Sequence, residues 1–274
     1  MTNSPSPSET LIKAQEKKYF ANYYDSLSRA EHVGDGKLFD YFEVEFNRVE
    51  RLYKQTLDRP ATVLSVGAGW GTISVWAQKR YPQWRIVSTD YLEASLPYHY
   101  EIAQLTQTDW KGHLAVEDWD ALPHADGTFD YVLADRALHH AIDAVRALKE
   151  LRRVTKPGGL FLMLREPSLP LSQQHIGAQF AQDAIEHGAN DHVYTVPQWI
   201  TFFEEAGWSV KARVQLEDVQ RILHSGTSPL VRRIGKWLYH RVSHDWMERV
   251  LYPYTIRYGS SSVLSKLTYY AQAR

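Results

Sequence analysis

Cysteine is absent from the 274 residues, which removes disulfides, thiolate metal sites and a cysteine nucleophile at once. Charge of one sign is lacking too: the net charge is -1, so no global field draws the chain toward nucleic acid or an anionic membrane, and neither is an expected partner. No run approaches the roughly 18 apolar residues of a membrane span. Residues 1–9 are polar and rich in Ser and Pro, without the basic start and apolar stretch of a signal peptide. They read as a disordered tail, and a cytoplasmic location is the default expectation. The 12 histidines include the four-apart pairs His240/His244 and His187/Asp191, but no zincin-type His-Glu-X-X-His, and no metal site is expected.

What is present is ordinary globular material, with 44% hydrophobic and 23% charged residues. Aromatics are plentiful (9 Trp, 17 Tyr and 9 Phe), suited to pocket walls or to a core. Helical periodicity covers about Thr10 to Leu27 and Leu38 to Leu57, read as two cap helices within residues 10–58. Strands are expected at Thr62–Val66, Trp84–Thr89, Gly112–Val116, Phe129–Ala134 and Leu160–Leu164. Helices are expected between them, ending near Arg80, spanning Leu92 to Leu105, and running from Asp143, as N-cap, to Thr155. This alternation predicts an α/β domain over residues 59–274: a doubly wound, mainly parallel sheet with right-handed crossovers and helices on both faces. Two excursions interrupt it, at about 167–196, with a helix at Ser172–His187, and at 217–262. A helix at Pro197–Ala206, a strand at Trp208–Leu216 and a closing strand at Val263–Ala271 complete the pattern.

The first strand runs into Gly67-Ala68-Gly69-Trp70-Gly71 and then a helix, where the chain must turn sharply and a ligand must approach the backbone. A dinucleotide fold asks for a third glycine at position 72; Thr72 stands there, which disfavours a nicotinamide-linked oxidoreductase. Alone, the turn is only a tight strand–helix connection. Asp90, at the end of the second strand, can accept from both ribose hydroxyls of a nucleoside, or simply cap a helix. After the third strand, Glu117, Asp118 and Asp120 compete as acids for an adenine amino group, beside Trp119.

The ordered set of glycine turn, Asp90, Asp118-Trp119-X-X-Leu122-Pro123, Thr128-Phe129-Asp130, Leu138-His139-His140 and Lys156-Pro157-Gly158-Gly159 resembles class I S-adenosylmethionine (SAM)-dependent methyltransferases. It is most similar to the small-molecule branch with the ubiquinone/menaquinone-type enzymes. The resemblance covers about Ala61 to Glu166. It implies a Rossmann-like seven-stranded fold with helical caps, SAM as cofactor and S-adenosylhomocysteine as product. It also implies that Gly67, Ala68, Gly69 and Gly71 lie along the methionine part, with Asp90 at the ribose and Tyr91 beside the adenine. Asp118 and Trp119 would hold the adenine, and Asp135 and Arg136 would line the cofactor–substrate junction. Family members commonly carry an acid two residues before the first glycine; here it is Ser65, which leaves its task to Asp135 or a water. A SAM-binding protein without catalysis, acting as a scaffold or regulator, is the alternative that Ser65 motivates.

Methyl transfer from a sulfonium needs alignment, and for some acceptors a base. His139 and His140 follow the fourth strand, and the first excursion offers His175, His187, Asp191 and His192; His139, His140, His175 and His192 are the candidate bases. Tyr19, Tyr23 and Tyr24 on the first helix and Glu166 beyond the fifth strand are candidate substrate contacts. The expected acceptor is a small or medium-sized metabolite, with an aromatic or sugar-containing molecule in view from the length of the caps. Residues 228–251 have the pattern of a basic amphipathic helix; it is read as an intramolecular cap, with a membrane contact or a homodimer face as alternatives.

Overall fold

The computed structural model describes residues 7–25, 37–54, 56–169, 189–214 and 265–274, with isolated positions between 171 and 186. The second excursion, with its basic helical segment, lies outside the described residues, as does most of the expected helix Ser172–His187.

Among the described residues eight strands form one sheet: β1 (Ala61–Ser65), β2 (Trp84–Asp90), β3 (His113–Val116), β4 (Phe129–Asp135), β5 (Thr155–Leu169), β6 (Tyr194–Thr195), β7 (Trp208–Val214) and β8 (Ser265–Ala273). The order is β3-β2-β1-β4-β5-β8-β7, with the two-residue β6 alongside β5. Only β8 runs antiparallel to its neighbours. The expected doubly wound, mainly parallel sheet is thus present, with the short β6 as an addition. Its order reverses between β1 and β4, so their C-terminal ends splay apart and leave a crevice, the usual ligand position in such sheets.

Among the described residues six helices accompany the strands: α1 (Pro7–Asp25), α2 (Lys37–Tyr53), α3 (Thr72–Arg80), α4 (Tyr98–Leu105), α5 (Ala144–Val154) and α6 (Val196–Glu205). Strand residues alternate between two cores, as period-two side chains must. Leu64, Val66, Val132, Ala134, Phe161 and Met163 meet α5 and α6 through Leu148, Leu151, Trp199 and Phe203. Val63, Ile86, Tyr131, Leu133, Leu160 and Leu162 meet α2 and α3 through Phe42, Phe46, Ile73 and Trp76.

Three expectations need correction. The N-terminal tail does not extend to residue 9, because α1 begins at Pro7 and Arg146 pairs with Glu9 at 3.0 Å. α2 is a layer helix: Phe42, Phe46 and Val49 are fully buried against the sheet, and Tyr53 Oη donates to Tyr270 O on β8. The helix expected from Leu92 to Leu105 is broken into a 3-10 turn (Glu93–Ser95) and α4, with Pro97 at the N-cap of α4, since proline cannot donate within a helix. Asp143 caps α5 as expected, accepting from Arg146 N at 2.9 Å.

Two motif residues secure the sheet at the end away from the crevice. Asp130 Oδ2 accepts from Thr62 N at 3.0 Å and from Lys156 Nζ at 2.8 Å, so Asp130 and Lys156 are structural partners. Because α2 is core, Phe46→Ala is expected to lower unfolding stability by about 3–5 kcal/mol. Leu11→Ala, at an exposed α1 position, should stay within about 0.5 kcal/mol. Urea unfolding measures both, and a Phe46→Ala loss no larger than that of Leu11→Ala contradicts the layer assignment.

Candidate functional site

β1 delivers the chain into the glycine turn at the crevice. Gly67 and Gly71 have φ of 54° and 77°, a left-handed region that side chains rarely adopt. Space is closed as well. A Cβ on Gly67 would stand 2.7 Å from Ala137 Cβ and 2.8 Å from Trp119, and one on Gly71 would meet the His99 ring at 2.1 Å. The turn is held from β2 by one carboxylate: Asp90 Oδ2 accepts from Gly69 N at 2.7 Å, and Oδ1 from Leu92 N at 2.8 Å. Burial pushes the Asp90 pKa up against those two N–H bonds.

Beneath the turn lies a buried polar chain. Ser74 Oγ donates to Ser65 Oγ at 2.9 Å and stands 2.8 Å from Ser88 Oγ, which is 2.7 Å from His99 Nε2. His99 Nδ1 donates to Leu96 O at 3.0 Å. Burial pushes the His99 pKa down to about 4, so the ring is neutral at pH 7. Ser65 is therefore engaged in the support of the turn, away from the crevice.

Two cavities open above the strand ends. The first, about 110 Å³, includes Gly67, Asp90, Tyr91, Leu92, Asp118 and Trp119 in its wall. The second, about 330 Å³, includes Gly67, Ala68, Gly69, Asp135, Arg165, His139 and Asp191. Phe20, Gly67, Arg136 and His140 line both. α1 covers them, with Lys13, Glu16, Lys17 and Phe20 on one face at the 3-4 spacing of a helix. Lys13 pairs with Asp118, and with Asp120 at 2.7 Å; Lys13 and Lys17 lie 5.8 and 5.1 Å from the Tyr91 ring centre.

At the far wall Arg165 clasps both oxygens of Asp135. Arg136 and Arg165 both have left-handed backbones, with φ of 53° and 50°, a strain typical of functional sites and worth of order 1–3 kcal/mol each. Arg136 makes no ion pair among the described residues. His140 Nδ1 lies 2.7 Å from Asp191 Oδ1 and 3.3 Å from Glu16 Oε1. Burial lowers its pKa, but the two carboxylates outweigh that and push it up to about 9.

Residues 64–163 match a family described as a methyltransferase domain. An uncharacterized methyltransferase of Schizosaccharomyces pombe is 28% identical over 88% of this chain and 83% of its own length. A demethylmenaquinone methyltransferase of Deinococcus radiodurans is 31% identical over 44% of this chain and 48% of its own. The chain spans about half the length of most curated relatives it matches. Among solved structures, a Haemonchus contortus phosphoethanolamine N-methyltransferase in complex with SAM superposes with a TM-score of 0.52. It is 14% identical over 82% of this chain and 51% of that one, a likeness of fold. Residues 64–163 thus carry a methyltransferase domain, and the fold around them is that of the class I SAM-dependent methyltransferases.

In this methyltransferase the expected cofactor residues gather at the crevice: Gly67, Asp90, Tyr91, Asp118, Trp119 and Arg136 line the first cavity, and Ala68, Gly69 and Asp135 the second. Gly71 stands apart, turned onto His99. Asp135 is neutralised by Arg165, which leaves it no free oxygen pair with which to replace the acid missing at Ser65. Tyr19 lines the second cavity; the side chains of Tyr23 and Tyr24 lie outside the described residues, and so does His187.

Glu166 is not a wall residue. It is fully buried and accepts from His139 Nδ1 at 2.8 Å, His139 N at 2.7 Å and Ala137 N at 3.3 Å. The bulge where β5 shifts register against β8, between Met163 and Glu166, turns it inward. His139 and His140 line the second cavity. His175 is exposed and outside both walls, and His192 is 3.1 Å from Asn190 Oδ1, also outside them. No metal site was expected from the sequence, yet folding brings His139, His140 and Asp191 together. Sequence reasoning missed Lys13, Glu16 and Lys17; their shared helical face was the available signal.

The neutral His99 makes stability depend on pH. Its folded pKa lies below the ordinary value, so the unfolded chain takes up the proton first on acidification. Its contribution is complete above about pH 6.5 and is lost as pH falls toward 4, by up to about 3 kcal/mol. Urea unfolding of wild type and His99→Gln from pH 7 to 4.5 should show a gap that narrows with acidification; a constant gap contradicts the neutral ring.

Proposed function

We propose that this methyltransferase transfers the methyl group of SAM to a small or medium-sized metabolite, at an oxygen, nitrogen or carbon atom, by in-line displacement. The supporting observation is that the two cavities meet at Gly67, Arg136 and His140. In this reading the adenosine occupies the first cavity, with its ribose hydroxyls on the remaining lone pairs of Asp90. The methionine part follows Gly67, Ala68 and Gly69, and Arg136 sits at the junction. The sulfonium then presents its methyl toward the second cavity, whose 330 Å³ is at the low end of the roughly 300–1,000 Å³ of small-molecule pockets.

SAM supplies the activated methyl. The protein supplies alignment and exclusion of water, and α1 is placed to do the second. Lys13 must release Asp118 if that carboxylate is to meet the adenine amino group. The ion pairs that hold α1 are 10–32% exposed, and in such partly buried pairs desolvation offsets much of the attraction. In this reading Asp118, Trp119 and Tyr91 hold the adenine, and His140, which lines both cavities, serves the acceptor side.

Calorimetric titration tests the placement. Asp90→Ala is expected to weaken SAM at least tenfold, about 1.4 kcal/mol; unchanged affinity overturns it. An acceptor panel with mass detection tests the reaction. The expected result is the gain of one CH₂ unit in an acceptor with equal formation of S-adenosylhomocysteine. Tight SAM binding without turnover across the panel favours the scaffold alternative.

A further inference from the structure

His139, His140 and Asp191 each bring one ligand atom to within 4.8 Å of the others, in the wall of the second cavity. The two histidines sit on the 3-10 turn after β4 (Leu138–His140), and Asp191 lies just before β6. The two segments are tied on both sides of the cluster. His192 N donates to His139 O, and Asn190 Nδ2 to His140 O, each at 2.8 Å.

Inside the cluster the contacts differ from those of hydrogen-bonded pairs. His140 Nδ1, Asp191 Oδ1 and Glu16 Oε1 are buried, and His140 Nδ1 lies within ion-pair distance of both carboxylates. None of the three has a hydrogen bond of acceptable direction among the described residues. A cation among them would give all three the partner they lack. Ligands of one cation, each about 2.0–2.2 Å from it, have this arrangement, with neighbouring ligand atoms about 3 Å apart.

His139 carries the second sign. Its Nδ1 donates to Glu166, a fully buried carboxylate also fixed by two backbone N–H groups. The ring orientation is thereby set, and Nε2 is left with the free lone pair. A buried carboxylate behind an imidazole is the usual outer partner of a metal-bound histidine, holding the tautomer and raising its basicity.

We propose that His139, His140 and Asp191 bind a borderline-soft divalent cation such as zinc, and that its open positions take an oxygen atom of the acceptor. Two imidazoles and one carboxylate suit such an ion better than magnesium or calcium, which prefer all-oxygen shells. Glu16 is within reach as a fourth ligand from α1, which would make closure of the cover and completion of the site one event. The acceptor part rests on the assignment of the second cavity in the proposed function; the cation part does not.

The test uses the full chain, stripped with EDTA and titrated with Co²⁺ as a visible-absorbing stand-in for zinc. The expected result is one equivalent bound, with d–d bands that Zn²⁺ abolishes by competition. His140→Ala and Asp191→Ala should weaken Co²⁺ at least tenfold, and Glu166→Gln by roughly 10–100-fold through His139. His175→Ala, at an exposed histidine off the cavity, should bind as wild type. Circular dichroism and thermal midpoints establish that each variant is folded. Acetohydroxamate, a bidentate oxygen ligand, should shift the bands if the open positions reach the cavity. Failure of wild type to bind one equivalent, or equal weakening by His175→Ala, overturns the site. Unshifted bands with acetohydroxamate overturn the acceptor part alone. SAM calorimetry on the stripped protein separates the readings: SAM binding together with failure of Co²⁺ to bind leaves the cofactor assignment standing and this one refuted, and Co²⁺ binding without SAM binding does the reverse.

Discussion

Both oxygens of one carboxylate hold the crevice in shape. Asp90 stands at the end of β2 and receives Gly69 N from the neighbouring turn and Leu92 N from its own exit, so the ends of β1 and β2 cannot drift independently. With the turn pinned, Gly67 is pressed against Trp119 and Ala137 and Gly71 against His99, which orients the loops after β3 and β4 in turn. The ribose-binding role proposed for Asp90 uses lone pairs that remain after these bonds. Its structural and functional tasks therefore act through the same atoms, and a buried charged carboxylate is tolerated because N–H donors surround it.

Around this pin the two N-terminal helices divide their labour by energy. α2 buries Phe42, Phe46 and Val49 in an aromatic layer with Trp76, Tyr81 and Trp84, an attachment that only unfolding undoes. α1 lies over the cavities and is tied through Lys13, Glu16 and Glu9 to Asp118, Asp120, His140 and Arg146. Partly exposed ion pairs of this kind are individually weak. One helix is thus part of the core and the other a cover held by ion pairs, although both show helical patterning in the sequence.

The sheet was legible because buried parallel strands are short continuous apolar runs, and β1, β2 and β4 lie within a residue or two of expectation. The lining of the crevice was legible because its residues stand at or just after strand ends: Gly67, Asp90, Asp118 and Arg136 belong to the ends of β1, β2, β3 and β4. What was not legible depends on contacts across the fold. Glu166 reads as a wall residue until the β5 bulge turns it under His139. Ser65 reads as a missing acid until Ser74, Ser88 and His99 are found beside it. Asp135 reads as its substitute until Arg165, thirty positions later, takes both its oxygens. The His139, His140 and Asp191 cluster joins residues about fifty positions apart, so no spacing rule along the chain could find it. No helix among the described residues is long and apolar enough to cross a membrane, in keeping with the absence of long apolar runs.

The central claim is that the pinned glycine turn at the β1–β4 reversal receives SAM and not a dinucleotide. Isothermal titration of one protein preparation with SAM, S-adenosylhomocysteine and NAD tests it directly. Saturable one-to-one binding of SAM and S-adenosylhomocysteine, with no heat from NAD, is the predicted result. Absence of SAM binding, or NAD binding as tight as that of SAM, would contradict the account.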